Sequence, residues 1–174
     1  MQLKKIYLSV IVLAALFFAA VGNSGCGVYS FRDVSIPDSI RSFRMQFIEN
    51  KATYVNPQLS PSLTEGIRRK ILSQTRLSQT SNDDAHLDIS GEIRDYAITT
   101  SGISNKQEVT NRLTVSVHIT VRKSFSNDPP EEYDVSRGFE FSARLSQQTA
   151  EAQLLDEIIS GLSDDVFNRL FSNW

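Results

Sequence analysis

Asp84, His86, Asp88 and Glu92 fall at even spacing within nine residues. On a β-strand they share one face, the first requirement for a set of metal ligands. Same-face neighbours on a strand stand roughly 6.5–7 Å apart, reachable for one ion but rarely convergent, so the expectation is a solvated face with a turn-forming Asp. His118, the second histidine, also falls on a polar parity. Glu131-Glu132 and Asp164-Asp165 offer adjacent carboxylates. Adjacent residues point to different sides, which disfavours shared acid–base work on one substrate. The chain has no His-Glu-x-x-His pattern, no cysteine pair, no Gly-rich phosphate loop and no Gly-x-Ser-x-Gly. The expectation is a protein that is not an enzyme, with no catalytic residues, no metal and no cofactor.

One thiol carries more information. Cys26 is the sole cysteine and ends the stretch Gly22-Asn23-Ser24-Gly25-Cys26. Before it lie a basic start with Lys4 and Lys5 and an apolar run from Ile6 to Val21. As a helix that run spans roughly 24 Å, short of the roughly 30 Å hydrocarbon core. Its flanks are those of a signal peptide. Small residues before a cysteine resemble a bacterial lipobox, in which the cysteine is acylated and becomes the new N-terminus. Ser24 and Gly25 fit that pattern, whereas Asn23 stands where Leu is usual. The alternatives are a plain secretory signal or an uncleaved anchor. Several acyl chains anchor a domain stably where one does so marginally. A lone cysteine closes no intrachain disulfide, so the fold must stand without one.

The expected organisation is a signal peptide over residues 1–25, a lipid-anchored tether over 26–41 and one domain over 42–174. The whole chain carries 18 basic and 20 acidic residues, a net charge of −2. Removing residues 1–25 takes two lysines and no acid, so the remainder is more acidic still. This excludes the charge signature of a nucleic-acid binder. Arg94, Lys106, Arg112, Arg122 and Lys123 are expected as scattered basic residues on a wet sheet face rich in Ser and Thr, suited to meeting phosphates. Arg122-Lys123, beside a Pro-containing turn, is the leading contact candidate. Trp174 reads as a lid on the helix end or a partner anchor.

The elements that position these groups follow from periodicity. Phe43, Met45 and Phe47 alternate with polar residues and read as a strand. Asn56-Pro57 turns the chain. Ser60 as N-cap, Pro61 at N1 and a Ser62/Glu65 capping box predict a helix that carries Leu63, Ile67 and Ile71 on one face and fades near Gln74. Arg76 to Thr80 adds a short extended piece. Leu87, Ile89, Gly91 and Ile93 form a half-buried strand whose parity slips to Tyr96 and Ile98, the mark of a bulge near Arg94-Asp95. Thr99 to Asn111 reads as a hairpin loop or its frayed ends. Leu113 to Val121 is the clearest strand. Ser126 to Pro130 is a turn, and Tyr133 to Ala143 a third strand of the series, broken on its apolar parity by Arg137 and thus an edge or a twist at Arg137-Gly138. Thr149 to Trp174 reads as an amphipathic helix. Strand, helix, three consecutive strands and helix predict an α+β two-layer sandwich: a small, mainly antiparallel sheet of about four strands, covered on one face by two helices and wet on the other.

The segments Phe43-Arg-Met-Gln-Phe-Ile-Glu-Asn50, Tyr54-Val-Asn-Pro57-Gln-Leu-Ser-Pro61-Ser-Leu-Thr-Glu65 and Leu87-Asp-Ile-Ser-Gly91-Glu-Ile93 resemble the LptE family of lipopolysaccharide-assembly lipoproteins, in the branch found in Bacteroidota. The resemblance implies an outer-membrane lipoprotein facing the periplasm and anchored through Cys26. It implies an LptD-like β-barrel as partner, which the protein plugs and helps to assemble, and lipopolysaccharide as cargo. A lipid-anchored module binding a small amphiphile between helices and sheet is the alternative, and it requires a sizeable apolar pocket there.

Overall fold

Three short strands and one long meander build the sheet. β1 (Ser42–Met45) and β2 (Glu49–Asn50) precede helix α1 (Leu59–Gln74); β3 (Ser78–Gln79) follows it. Then come β4 (Leu87–Ser101), β5 (Thr110–Lys123), β6 (Glu131–Ser142) and helix α2 (Gln147–Phe171). This computed structural model describes residues 36–101 and 110–172, all within the compact unit Arg32–Trp174. Cys26, Lys106, Trp174 and the expected signal segment lie outside the described residues, as does most of the expected tether.

The strand order is β3-β1-β4-β5-β6, with β2 pairing β4 further along. β4, β5 and β6 run antiparallel, while β1 and β2 lie parallel to β4, and β3 parallel to β1. The sandwich is as expected, with six strands in place of about four; the two additional ones, β2 and β3, are each two residues long. So short a strand has no hydrophobic alternation to read. The parity slip in β4 is a register shift between Ile93 and Asp95, which leaves Arg94 as the extra residue of a bulge. β6 ends the sheet, so Arg137 sits on an edge strand.

Apolar periodicity sets the layers. Leu59, Leu63, Ile67 and Ile71 of α1, four residues apart, are fully buried. Leu154, Ile158, Leu162, Val166 and Leu170 of α2, likewise four residues apart, are buried too. They close on Phe43, Leu87, Ile89, Ile93, Leu113, Val115, Val117 and Ile119. Each such side chain contributes about 1.5–3 kcal/mol of burial. Among the described residues, the layer between helices and sheet is therefore filled by side chains, not by the sizeable apolar pocket the alternative reading requires. The helices approach closely at Gly66, since a Cβ there would stand 2.7 Å from Ser163 Oγ and 2.8 Å from Ile159 Cγ2.

Four local expectations are corrected. β1 stops at Met45, and Phe47 is exposed while Ile48 is fully buried. The chain shifts parity there because the core takes Ile48, whose N–H donates to Thr64 Oγ1 at 3.1 Å. α1 starts at Leu59 and has Gln58, not Ser60, at its cap. The Asn56 side chain begins it instead, accepting from Gln58 N at 3.0 Å, and Ser60 is buried. Glu65 pairs with Arg68 and not with the helix start. Thr99 to Asn111 is less of a loop than expected, because Thr99↔Arg112, Thr100↔Asn111 and Ser101↔Thr110 continue the ladder. Threonines at an exposed strand end hold a ladder without apolar alternation. Ala143 lies past the end of β6 and is exposed.

Candidate functional site: the polar sheet face

The face away from the helices is built by strand alternation. Arg44 and Gln46 come from β1 and its extension, Asp88, Ser90 and Glu92 from β4, Ser116, His118, Thr120 and Arg122 from β5, and Glu132, Asp134 and Ser136 from β6. Two networks organise it. In one, Arg44 grips Asp88 through one edge of its guanidinium, Nε to Oδ1 at 2.9 Å and Nη2 to Oδ2 at 2.8 Å. Gln46 adds two bonds at 3.0 Å, and Asp83 takes the other arm of Arg44. Arg44 holds the Asp88 carboxyl below the usual carboxylate range, against the opposing effect of burial.

The second network centres on Glu92, which receives Arg94 Nε at 2.8 Å and Lys51 Nζ at 2.9 Å. Those two cations, Arg94 first, hold its carboxyl down at about 2. Arg94 also reaches Asp134 at 3.3 Å, and Asp134 lies 2.8 Å from His118 Nδ1. A shallow groove of about 360 Å³ runs over this network, between exposed Phe47 on one side and His118 and Thr120 on the other.

Of the predicted basic residues, Arg94, Arg112 and Arg122 are spread along this face and do not converge, while Lys123, expected here too, falls on the opposite parity because it pairs with Leu87. Arg94 belongs to the Glu92 network. Lys123 is bound to Glu131 at 2.6 Å, and Tyr133 O–H closes on the same carboxylate at 2.6 Å. Burial, then Glu131, push the Tyr133 hydroxyl up to about 12. Arg122 and Lys123 alternate across the strand, so they do not act as a pair. Arg122 stays exposed near Asp88, and Arg112 crosses the bare backbone of Gly138, where a Cβ would meet its Nε at 2.1 Å. Arg112 and Arg122, ten residues apart on one strand, stand about 33 Å from each other. Lys106 lies outside the described residues, as does Cys26.

Sequence reasoning missed Arg44 and Lys51 as members of this face. Arg44 was legible, since it alternates with Phe43 and Met45; Lys51 was not, because it follows a two-residue strand. His118 is on the polar face as expected yet almost fully covered by its neighbours. The Asp84, His86, Asp88, Glu92 series divides among separate partners: Asp88 to Arg44, Glu92 to Lys51 and Arg94, and His86 Nδ1 to Ser42 Oγ at 2.7 Å. No group of three or more His, Cys, Asp or Glu that could hold a metal occurs among the described residues. No helix among them is long and apolar enough to cross a membrane. A buried polar latch lies elsewhere. Glu151 of α2 accepts from Gln147 Nε2 at 2.7 Å and Tyr54 O–H at 3.2 Å, which ties the segment after β2 to the start of α2.

No curated protein matches the chain. Among solved structures, a minor lipoprotein from Acinetobacter baumannii superposes with a TM-score of 0.50 at 12% identity, covering 78% of this chain and 95% of that one. A hypothetical protein from Chlamydia trachomatis gives 0.50 at 12%, covering 75% and 95%. At these identities the likeness shows the fold alone. The profile of the LptE family, described as lipopolysaccharide-assembly, matches residues 40–170. With that match spanning the whole described sandwich, the chain belongs to the LptE family.

Proposed function

We propose that this protein is the lipid-anchored subunit of a lipopolysaccharide translocon in the outer membrane, seated in the lumen of an LptD-like β-barrel on the periplasmic side. The observation that carries this reading is the two-faced sandwich. One sheet face is sealed by α1 and α2, while the other presents ion-paired and hydroxyl side chains from Arg44 across to Ser136. A domain held in a water-filled barrel needs a polar exterior of that kind. Its rigid partner surface comes from side chains already fixed to one another, as Glu92 is to Lys51 and Arg94. In this reading the protein assists barrel assembly and lipopolysaccharide delivery without catalysis. Residues 1–25 are the signal peptide, 26–41 the tether and 42–174 the domain.

Lipopolysaccharide phosphates are strongest candidates to meet Arg112 and Arg122, which are exposed and carry no ion pair within 4 Å among the described residues, with Arg94, Lys123 and Lys106 as further members of the set. The test of the anchor is mass spectrometry of the mature N-terminus from the membrane fraction. Acylated Cys26 as first residue, lost together with membrane retention in Cys26→Ala, is the expected result. An intact segment 1–25 contradicts it.

A further inference from the structure

β4 is paired on both sides for only half of its length. On the side away from β5, β1 covers it from Leu87 to Ile89 and β2 covers Glu92 and Ile93. Gln46 N donates to Ile89 O at 2.8 Å, and Lys51 N to Ile93 O at 2.9 Å, the last such bond among the described residues. Beyond the bulge at Arg94, Asp95–Thr100 pairs, among the described residues, with β5 alone. Carbonyls at Ile89 and Ile93 point outward. Strand alternation, carried through the β5 register, gives the same outward direction to the N–H and C=O of Tyr96, Ile98 and Thr100.

The sheet's other edges are protected. β6 follows Pro129-Pro130 and carries Glu131, Glu132, Asp134, Arg137 and Glu140, and β3 is only two residues long. Charge, proline and brevity are the usual devices against strand addition. The open half of β4 has none after Asp95: Tyr96-Ala-Ile-Thr-Thr100 is uncharged and rich in strand formers. Exposed apolar side chains flank it, Ile98 on the strand itself, and Tyr54 and Val55 on the segment whose Tyr54 ring packs 5.4 Å from that of Tyr96.

We propose that Ala97–Thr100 is a strand-addition site, filled by an extended, uncharged segment of the barrel partner whose alternate apolar side chains lie beside Ile98 and Val55. Backbone groups supply the affinity and the apolar row supplies the register. Tyr96 is itself buried against Tyr54, so the outward residues left open are Ile98 and Thr100. They make too small a patch to hold two copies of this chain together, since a stable interface needs about 1,000 Å² or more. A partner that surrounds the domain makes its other contacts elsewhere. The inference rests on the barrel reading given above.

The test uses the full chain, co-expressed with the barrel from its own operon or genome and purified from detergent extracts. Ile98→Pro removes an outward N–H and no β4–β5 bond, and Ile98→Lys installs an edge charge. Each is expected to lower the recovered barrel about tenfold, the loss that follows when a few ladder hydrogen bonds go, with the melting temperature of the isolated variant unchanged. A photo-crosslinker at Ile98 is expected to capture a peptide of the barrel, and one at Glu140 is not. Barrel recovery at wild-type level with both variants, or crosslinks from Ile98 only to a second copy, overturns the strand-addition site while leaving the barrel reading intact. Wild-type protein that recovers no barrel overturns both.

Discussion

Arg137 shows how a single residue can look like an error in a sequence and be a joint in the structure. It occupies the apolar parity of β6, yet Nη1 donates to Gly161 O at 3.1 Å and pairs with Asp165 at 3.0 Å on α2. Gly161, a weak point in a helical pattern, is bare because the Arg137 side chain lies across it, 2.9 Å from where a Cβ would stand. Both departures from pattern have one cause that pairwise spacing in the sequence does not reveal. Ser163 is the reverse case: its hydroxyl is buried beside Gly66 with no hydrogen-bond partner. An unpaired buried hydroxyl costs about 1 kcal/mol or more. Ser163→Ala is therefore expected to raise stability by about 1 kcal/mol, read as a higher urea midpoint at constant slope. Glu151→Ala should do the opposite. It strips the partner from Tyr54 and Gln147 and should cost about 1–3 kcal/mol by the same measurement.

The elements were legible in proportion to their length and burial. The meander β4–β6 and both helices follow from runs such as Leu113 to Val121 and Leu63-Ile67-Ile71, because a buried face enforces its own period. The β4 bulge was legible too, from the slip between Ile93 and Tyr96. β2 and β3 were not, since two residues carry no period, and the Phe47/Ile48 parity change is decided by what the core admits. Charged networks across strands were invisible for another reason: Lys51 meets Glu92, and Arg94 meets Asp134, only once register is fixed. That seam predicts an acid response. Glu92, held at about 2 against an ordinary 4.5, binds its proton less tightly folded than unfolded. Its pairing thus stabilises fully above pH 4.5 and is lost as pH falls through about 2. Asp88 is shifted in the same direction by Arg44. Melting temperature should fall across this window, and Glu92→Gln should flatten the fall; an identical pH profile in the variant would remove Glu92 from the account.

At the scale of the molecule, the sandwich has one face committed to its own helices and one committed to polar display, with a half-open strand at the margin of the two. The proposed role as a periplasmic plug uses that division of labour: a core that needs no disulfide and a wet face prefixed by ion pairs, with Cys26 as the proposed anchor. Arg112 and Arg122 predict the lipid side of this arrangement. The double charge reversal Arg112→Glu/Arg122→Glu should weaken binding of purified lipopolysaccharide about tenfold or more in a salt-dependent manner, with unchanged melting, because exposed cations contribute through screened attraction. Unaltered binding at low salt would shift the contact to other residues.

The central claim is that this domain is a subunit of a β-barrel complex, and one measurement meets it directly. The full chain, purified through a C-terminal tag from detergent-solubilised outer membranes, is analysed by native mass spectrometry and peptide identification. The account predicts a one-to-one complex with a large LptD-like β-barrel that survives gel filtration. Recovery of the acylated protein alone, from membranes in which that barrel is present and extracted intact, would contradict it.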